Sequence, residues 1–217
     1  MTGLDLAKYI DHTLLAPEAT SQEIAKLCAD ANKFGVAAVC VSPSRLPLPA
    51  GSLIDQIALA CVVGFPSGAH VGSVKAIEAA TAEQNGATEI DMVVNLGFVF
   101  DANWLSLADE VKAVRKSLSD TTKLKVIIES AALSDEQIVM TCKVVVDSGA
   151  DFVKTSTGFH KAGGASVHAV KLMRKTVGSN VGVKASGGIR TRETALEMIA
   201  AGANRLGTSA TQAILAV

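Results

Sequence analysis

The chain has 217 residues, a formal net charge of −1 and 49% hydrophobic residues, of which few are aromatic, at 4% of the whole. A chain of this length fits one domain with a sizeable core, and its balanced charge, free of like-sign blocks, gives no reason to expect nucleic acid or an anionic membrane surface as partner. No apolar run reaches the roughly 18 residues of a membrane span, and the abundance of Ala, Val, Ile, Leu and Gly suits strands under close-packed helices better than an all-β sandwich.

In chain order, Ile10-Asp11-His12-Thr13-Leu14-Leu15 reads as a brief strand that Pro17 ends. Thr20 and Glu23 then form a capping box, and Ile24, Leu27, Cys28 and Ala31 follow at helical spacing up to Gly35. The unit of helix and apolar strand recurs. Helices close on Asn85-Gly86-Ala87, Ser148-Gly149-Ala150 and Ala201-Gly202-Ala203, and a strand begins at once. Strands are predicted near residues 36–41, 58–63, 89–94, 124–129, 151–155, 181–184 and 204–207, and helices near 73–85, 103–118, 134–148, 166–177 and 191–201. Strands apolar along their length, alternating with helices, indicate a parallel sheet covered by helices. About eight repeats predict a single-domain (β/α)8 TIM barrel over residues 1–217. A doubly wound open sheet is the rival, but no G-x-G-x-x-G follows the first strand.

Alternate side chains of a strand share a face. In Glu89-Ile90-Asp91-Met92-Val93-Val94-Asn95, placing Ile90, Met92 and Val94 against helices turns Glu89, Asp91, Val93 and Asn95 inward. Facing Val153, Val181 and Val183 outward likewise sends Lys154 and Lys184 into the barrel, at the carboxyl ends of their strands where active sites of this fold lie. Burial and like charge favour a neutral amine at one of two confined lysines, and such an amine forms Schiff bases at neutral pH. Asp91 supplies a carboxylate to hold the other lysine charged and to pass protons. A Lys-Asp-Lys network with a purely structural role is the competing reading.

Phosphate is expected over the loops after the seventh and eighth strands. Gly187, Gly188 and Gly207 free backbone N–H groups there, Ser209 adds a hydroxyl, Arg190 a charge, and Thr157-Gly158 closes the site from the neighbouring loop; for Gly158 alone a plain turn competes. Cys40 shares its parity with Ala38 and Ser42 and is a candidate to line an aldehyde pocket, with a packed core thiol as the alternative. Asp11 and Thr13 share an inward parity, and the facing of Glu129 stays open. Cys28, Cys40, Cys61 and Cys142 contain no C-x-x-C pair, and His12, His70, His160 and His168 show no paired ligand spacing. No metal site is expected, and reduced thiols fit a cytoplasmic enzyme.

These residues carry a family resemblance. The chain resembles the deoxyribose-phosphate aldolases nearly end to end, through Ile10–Leu15, Val39-Cys40-Val41, Glu89–Asn95, Lys154-Thr155-Ser156-Thr157-Gly158 and Lys184-Ala185-Ser186-Gly187-Gly188-Ile189-Arg190. The resemblance implies reversible cleavage of 2-deoxy-D-ribose 5-phosphate to acetaldehyde and D-glyceraldehyde 3-phosphate, with Lys154 as the Schiff-base lysine, Lys184 as the neighbour that lowers its pKa, Asp91 in the proton relay, and no metal or organic cofactor. A phosphorylated aldehyde or sugar is the expected partner, and a homodimer is compatible with the reading. Two departures stand out. Phe159 occupies a place where some relatives carry a lysine, and the chain ends at Ala216-Val217 without the family's tyrosine-bearing extension, so water is expected to carry that proton. A phosphosugar isomerase using Asp91 and Glu129, and a non-catalytic phosphometabolite-binding barrel, are the alternatives.

Overall fold

A computed structural model describes residues 5–216. Its eight strands are β1 (Ile10–Leu14), β2 (Ala38–Val41), β3 (Ala58–Val63), β4 (Glu89–Val93), β5 (Lys123–Ile127), β6 (Phe152–Lys154), β7 (Gly182–Ser186) and β8 (Arg205–Thr208). They pair in parallel in sequence order, and β8 returns to β1 with Asp11 beside Gly207, which closes the barrel. The predicted (β/α)8 barrel is therefore the fold. The strands are short because each ends where the chain must turn into a loop; β5 stops at Ile127, and two residues later Glu129 adopts φ 55°.

Eight helices cover the sheet: α1 (Ser21–Phe34), α2 (Gly72–Gln84), α3 (Leu96–Phe100), α4 (Trp104–Lys116), α5 (Asp135–Asp147), α6 (Val167–Val177), α7 (Arg192–Ala200) and α8 (Thr211–Leu215). The capping box of Thr20 and Glu23 is formed at α1, and Gly35 ends that helix at φ 63°, the left-handed conformation that glycine reaches without a Cβ clash. Between β2 and β3 a short turn at Pro43–Arg45 and an irregular segment stand in place of a helix, as befits a stretch holding Pro43, Pro47 and Pro49. The short α3 is absent from the sequence expectations. Its Asn95 cap accepts from the Gly97 N–H, and one glycine-bearing turn leaves no helical periodicity to detect.

Side chains sort by parity into two layers. Ile90, Met92, Val94, Val153 and Val183 pack between sheet and helices, with roughly 1.5–3 kcal/mol expected from burying each of the larger ones. Inside the barrel, Cys40, Ala60 and Val62 form a smaller apolar cluster with Leu15 and Phe65. Phe152 fills the interior beside Gly182, where an added Cβ would lie 2.1 Å from the phenyl ring. Seven charged side chains share this interior: Asp11, Glu89, Asp91, Lys125, Lys154, Lys184 and Arg205.

Candidate active site

Asp91, central in β4, is fully buried and gathers three lysine amines. Lys125 donates to its Oδ1 at 2.8 Å, while Lys154 and Lys184 both donate to its Oδ2 at 2.7 Å. Strand register produces this convergence: Asp91 pairs with Lys125, and Lys154 pairs with Lys184, so each carboxylate or amine projects inward beside its neighbour. Asp11 of β1 closes the ring by accepting from Lys184 and, at 3.3 Å, from Lys125. Below, Arg205 donates to Asp11 at 2.6 Å and to Glu89 at 3.2 Å, and Lys125 lies 2.5 Å from Glu89. Three carboxylates thus face four basic groups. With one amine neutral, the cluster balances.

Of the four basic groups, Lys154 is the one whose pKa is pushed down. Burial pushes its ammonium below the ordinary lysine value of 10.5, Asp91 resists, and the charge of Lys184 adds to the depression. Burial also disfavours charge on Lys184, but Asp11 and Asp91 overcome it and raise its pKa. Lys125 is held well above the ordinary value in the same way, burial being outweighed by Asp91, Asp11 and Glu89. Asp91 itself stays ionised: burial opposes its charge, and Lys125, Lys154 and Lys184 more than compensate. A lysine that loses its proton easily, beside an ammonium that keeps its own, is the pairing that imine chemistry requires.

Of the three lysines, Lys154 alone lines a cavity of about 430 Å³ at the carboxyl ends of the strands. Its walls come from the segments following β1, β6, β7 and β8, which are contiguous around the barrel. Thr157, Gly158, Gly187, Gly188, Arg190, Gly207 and Ser209 all line it, as do Thr13 and Phe159. Gly187 and Gly188 have φ of 84° and 82°, and their N–H groups, with those of Gly158 and Ser209, find no acceptor among the described residues. Unpaired N–H donors beside an exposed guanidinium make a receptor for an anion.

Some expectations are redistributed. Cys40 does not line the cavity; it is fully buried against Ala60 and Val62, and burial raises its thiol pKa. Glu129 is buried, and its carboxylate accepts the Thr157 hydroxyl at 2.6 Å, so the Thr157 side chain faces Glu129 as well as the cavity wall. An Asp91–Glu129 proton-transfer pair finds no support, because neither carboxylate lines the cavity. His12 is buried on the helix side of β1, edge-on to Phe34 of α1, with its Nδ1 2.8 Å from the Thr211 hydroxyl of α8. Lys125 and Arg205 are the site residues that sequence reasoning passed over. Parity would have found Lys125, since Leu124, Val126 and Ile128 all join the layer under the helices and leave Lys125 pointing the other way.

Residues 6–215 match the family model described as DeoC/LacD family aldolase. Among curated proteins, the deoxyribose-phosphate aldolase of Kocuria rhizophila is 55% identical over 99% of this chain and 97% of its own length. That of Corynebacterium diphtheriae is 54% identical, again over 99% and 97%. The tetrameric deoxyribose phosphate aldolase of Aeropyrum pernix superposes with a TM-score of 0.85 at 32% identity, covering 97% of this chain and 89% of that one.

Proposed function

The chain belongs to the DeoC/LacD aldolase family, and from that premise we propose that it reversibly cleaves 2-deoxy-D-ribose 5-phosphate to acetaldehyde and D-glyceraldehyde 3-phosphate through a Schiff base on Lys154. One observation carries the assignment of the lysine: Lys154 is the interior amine that both opens to the cavity and has a depressed pKa. Its neutral Nζ adds to the C1 aldehyde of the open-chain sugar, and the carbinolamine loses water to give a protonated imine. Removal of the C3 hydroxyl proton breaks the C2–C3 bond; its electron pair flows into the imine, leaving an enamine on Lys154 and releasing glyceraldehyde 3-phosphate. Protonation at C2 and hydrolysis return acetaldehyde and the free amine. Asp91 and the charged Lys184, joined at Oδ2, supply the fixed field and the proton at the lysine, and water in the open cavity carries the C3 proton.

The phosphate is read onto Gly158, Gly187, Gly188 and Ser209 through their free N–H groups, with Arg190 as counter-charge and Gly207 lining the floor. Incubation with acetaldehyde and borohydride, followed by peptide mapping, tests the chemistry. An ethyl group on Lys154 is expected, and its absence there defeats the mechanism. Ser209→Ala is expected to weaken binding of the phosphorylated sugar with little effect on imine trapping.

A homodimer is our reading of the assembly, supported by exposed apolar side chains such as Val71, Ile77 and Leu105, and light scattering at assay concentrations measures it. Among the described residues no helix is long and apolar enough to cross a membrane, and the four cysteines are free and buried, which supports a cytoplasmic, reducing location.

A further inference from the structure

Glu129 has no place in the chemistry above, yet it is 2% exposed and sits at φ 55°, ψ 53°, a backbone region that a residue with a Cβ enters only when its surroundings over-determine it. What holds it is the loop after β6. Its carboxylate accepts the Thr157 hydroxyl at 2.6 Å and the Thr157 N–H at 3.3 Å, and the next residue, Ser130, donates its N–H to the Thr155 carbonyl at 2.7 Å. No cation lies within ion-pair distance of Glu129 among the described residues, so the Thr157 donors are what compensate the buried carboxylate. Thr157 passes the constraint on: its hydroxyl oxygen accepts from the Phe159 N–H at 3.1 Å, closing a tight turn around Gly158, whose φ is 84°.

That turn is a wall of the anion receptor. Thr157, Gly158 and Phe159 line the cavity opposite Gly187 and Gly188. The two loops are in backbone contact: a Cβ added to Gly187 would lie 3.4 Å from the Gly158 Cα, and one added to Gly164 would lie 2.2 Å from the Gly187 carbonyl oxygen. The Ala165 N–H donates to the carbonyls of Ser186 and Gly187 at 3.0 and 3.1 Å, and the Ser186 hydroxyl donates to the Ser156 carbonyl at 2.6 Å. A shift of the Thr157 turn therefore moves the Gly187–Gly188 donors with it. Lys154 is held separately, by Asp91 from inside the barrel.

We propose that Glu129 is a positioning residue for the phosphate end of the cavity: by clamping Thr157 it sets the spacing between the Gly158 turn and Gly187–Gly188, and so the preference for a phosphorylated over an unphosphorylated sugar, without acting on the bond-breaking step. The proposal rests on the substrate reading above. Steady-state kinetics of Glu129→Ala, Glu129→Gln, Thr157→Val and the Glu129→Ala/Thr157→Val double variant, on 2-deoxyribose 5-phosphate and on 2-deoxyribose, test it. For Glu129→Ala, KM for the phosphorylated sugar rises by about tenfold, the scale of one lost hydrogen bond to a charged group, while its kcat and the kcat/KM for 2-deoxyribose stay near native. Glu129→Gln keeps an acceptor for the Thr157 hydroxyl and restores most of the KM. The double variant is no worse than the more affected single one, because both remove the same clamp. Native KM in Glu129→Ala, or a kcat loss shared equally by the two sugars, overturns the proposal. Should Glu129→Ala not fold, native KM in Thr157→Val overturns it equally. A native enzyme that traps acetaldehyde on Lys154 but shows no preference for the phosphorylated sugar overturns the substrate reading and this proposal together, whereas native preference with an unaffected Glu129→Ala removes only the latter.

Discussion

Replacing Lys184 with methionine removes the ammonium that holds Lys154 in its reactive state. Both amines donate to the same Asp91 oxygen at 2.7 Å, so their nitrogens lie within roughly 5 Å of each other, and two like charges at that separation repel by about 3 kcal/mol at an effective dielectric of ~20. Without Lys184, Asp91 also loses a competing cation at Oδ2 and holds a proton on Lys154 more firmly, which acts in the same direction. The sign follows from the chemistry. Imine formation needs the free amine, so its rate climbs as pH rises through the Lys154 pKa, which in the native protein lies below 10.5. In Lys184→Met that limb moves to higher pH, and at neutral pH the neutral fraction of Lys154 falls by about 100-fold. The assay is the rate of cyanoborohydride-trapped ethylation by acetaldehyde, followed by intact mass from roughly pH 6 to pH 10, alongside kcat/KM over the same range. The variant is expected to lose most at low pH and to approach native trapping at the alkaline end. A loss of equal size at every pH, with the limb unmoved, would refute the electrostatic reasoning and leave Lys184 only a proton-transfer role.

Three further outcomes are expected. Lys75, fully buried between α2 and α4, donates to Glu110 at 2.9 Å and to the Val93 carbonyl at 2.7 Å, and Lys75→Met strands that carboxylate; urea unfolding should show a loss of about 3–5 kcal/mol, part of which Lys75→Met/Glu110→Leu regains. Gly182→Ala drives a methyl to 2.1 Å from the Phe152 ring inside the barrel and should cost about 1–3 kcal/mol in the same assay, with Phe152→Leu as a second-site suppressor. Asp11 and Asp91 have folded pKa values depressed below the ordinary 3.8, so the stability they contribute is fully present above that value and is lost as pH falls from it toward the folded values; urea midpoints should therefore drop steeply below about pH 4, and less steeply in Asp91→Asn.

The positions of the strands and most helices were legible because their signals are local. Thr20 with Glu23, the Gly35 stop and the alternation of Ile90, Met92 and Val94 with Glu89 and Asp91 each act within a few residues. The same alternation turned Lys154 and Lys184 inward, and glycine after β7 marked the loop that lines the cavity. Where the sequence reading fell short, the cause was distance along the chain. Parity turns Lys125 inward, but nothing near it reveals its partners Asp11, 114 residues away, and Asp91. Arg205 is equally mute until barrel closure sets it against Asp11 and Glu89. Glu129 turns on its backbone because Thr157, 28 residues on, draws its carboxylate inward.

By itself, then, the sequence determined that eight apolar strands would alternate with helices and that two lysines and an aspartate would face the interior, since side-chain parity and helix punctuation are properties of neighbouring residues. Parity treats the two lysines alike, and apart from the family resemblance nothing local separates Lys154 from Lys184; their different surroundings come from the tertiary structure. Lys154 at the end of β6 and Lys184 in the middle of β7 are register partners, but closure of β8 onto β1 brings Asp11 to Lys184 and not to Lys154, while the cavity opens on Lys154. Charge interactions depend on separation in space, and only the closed barrel sets those separations.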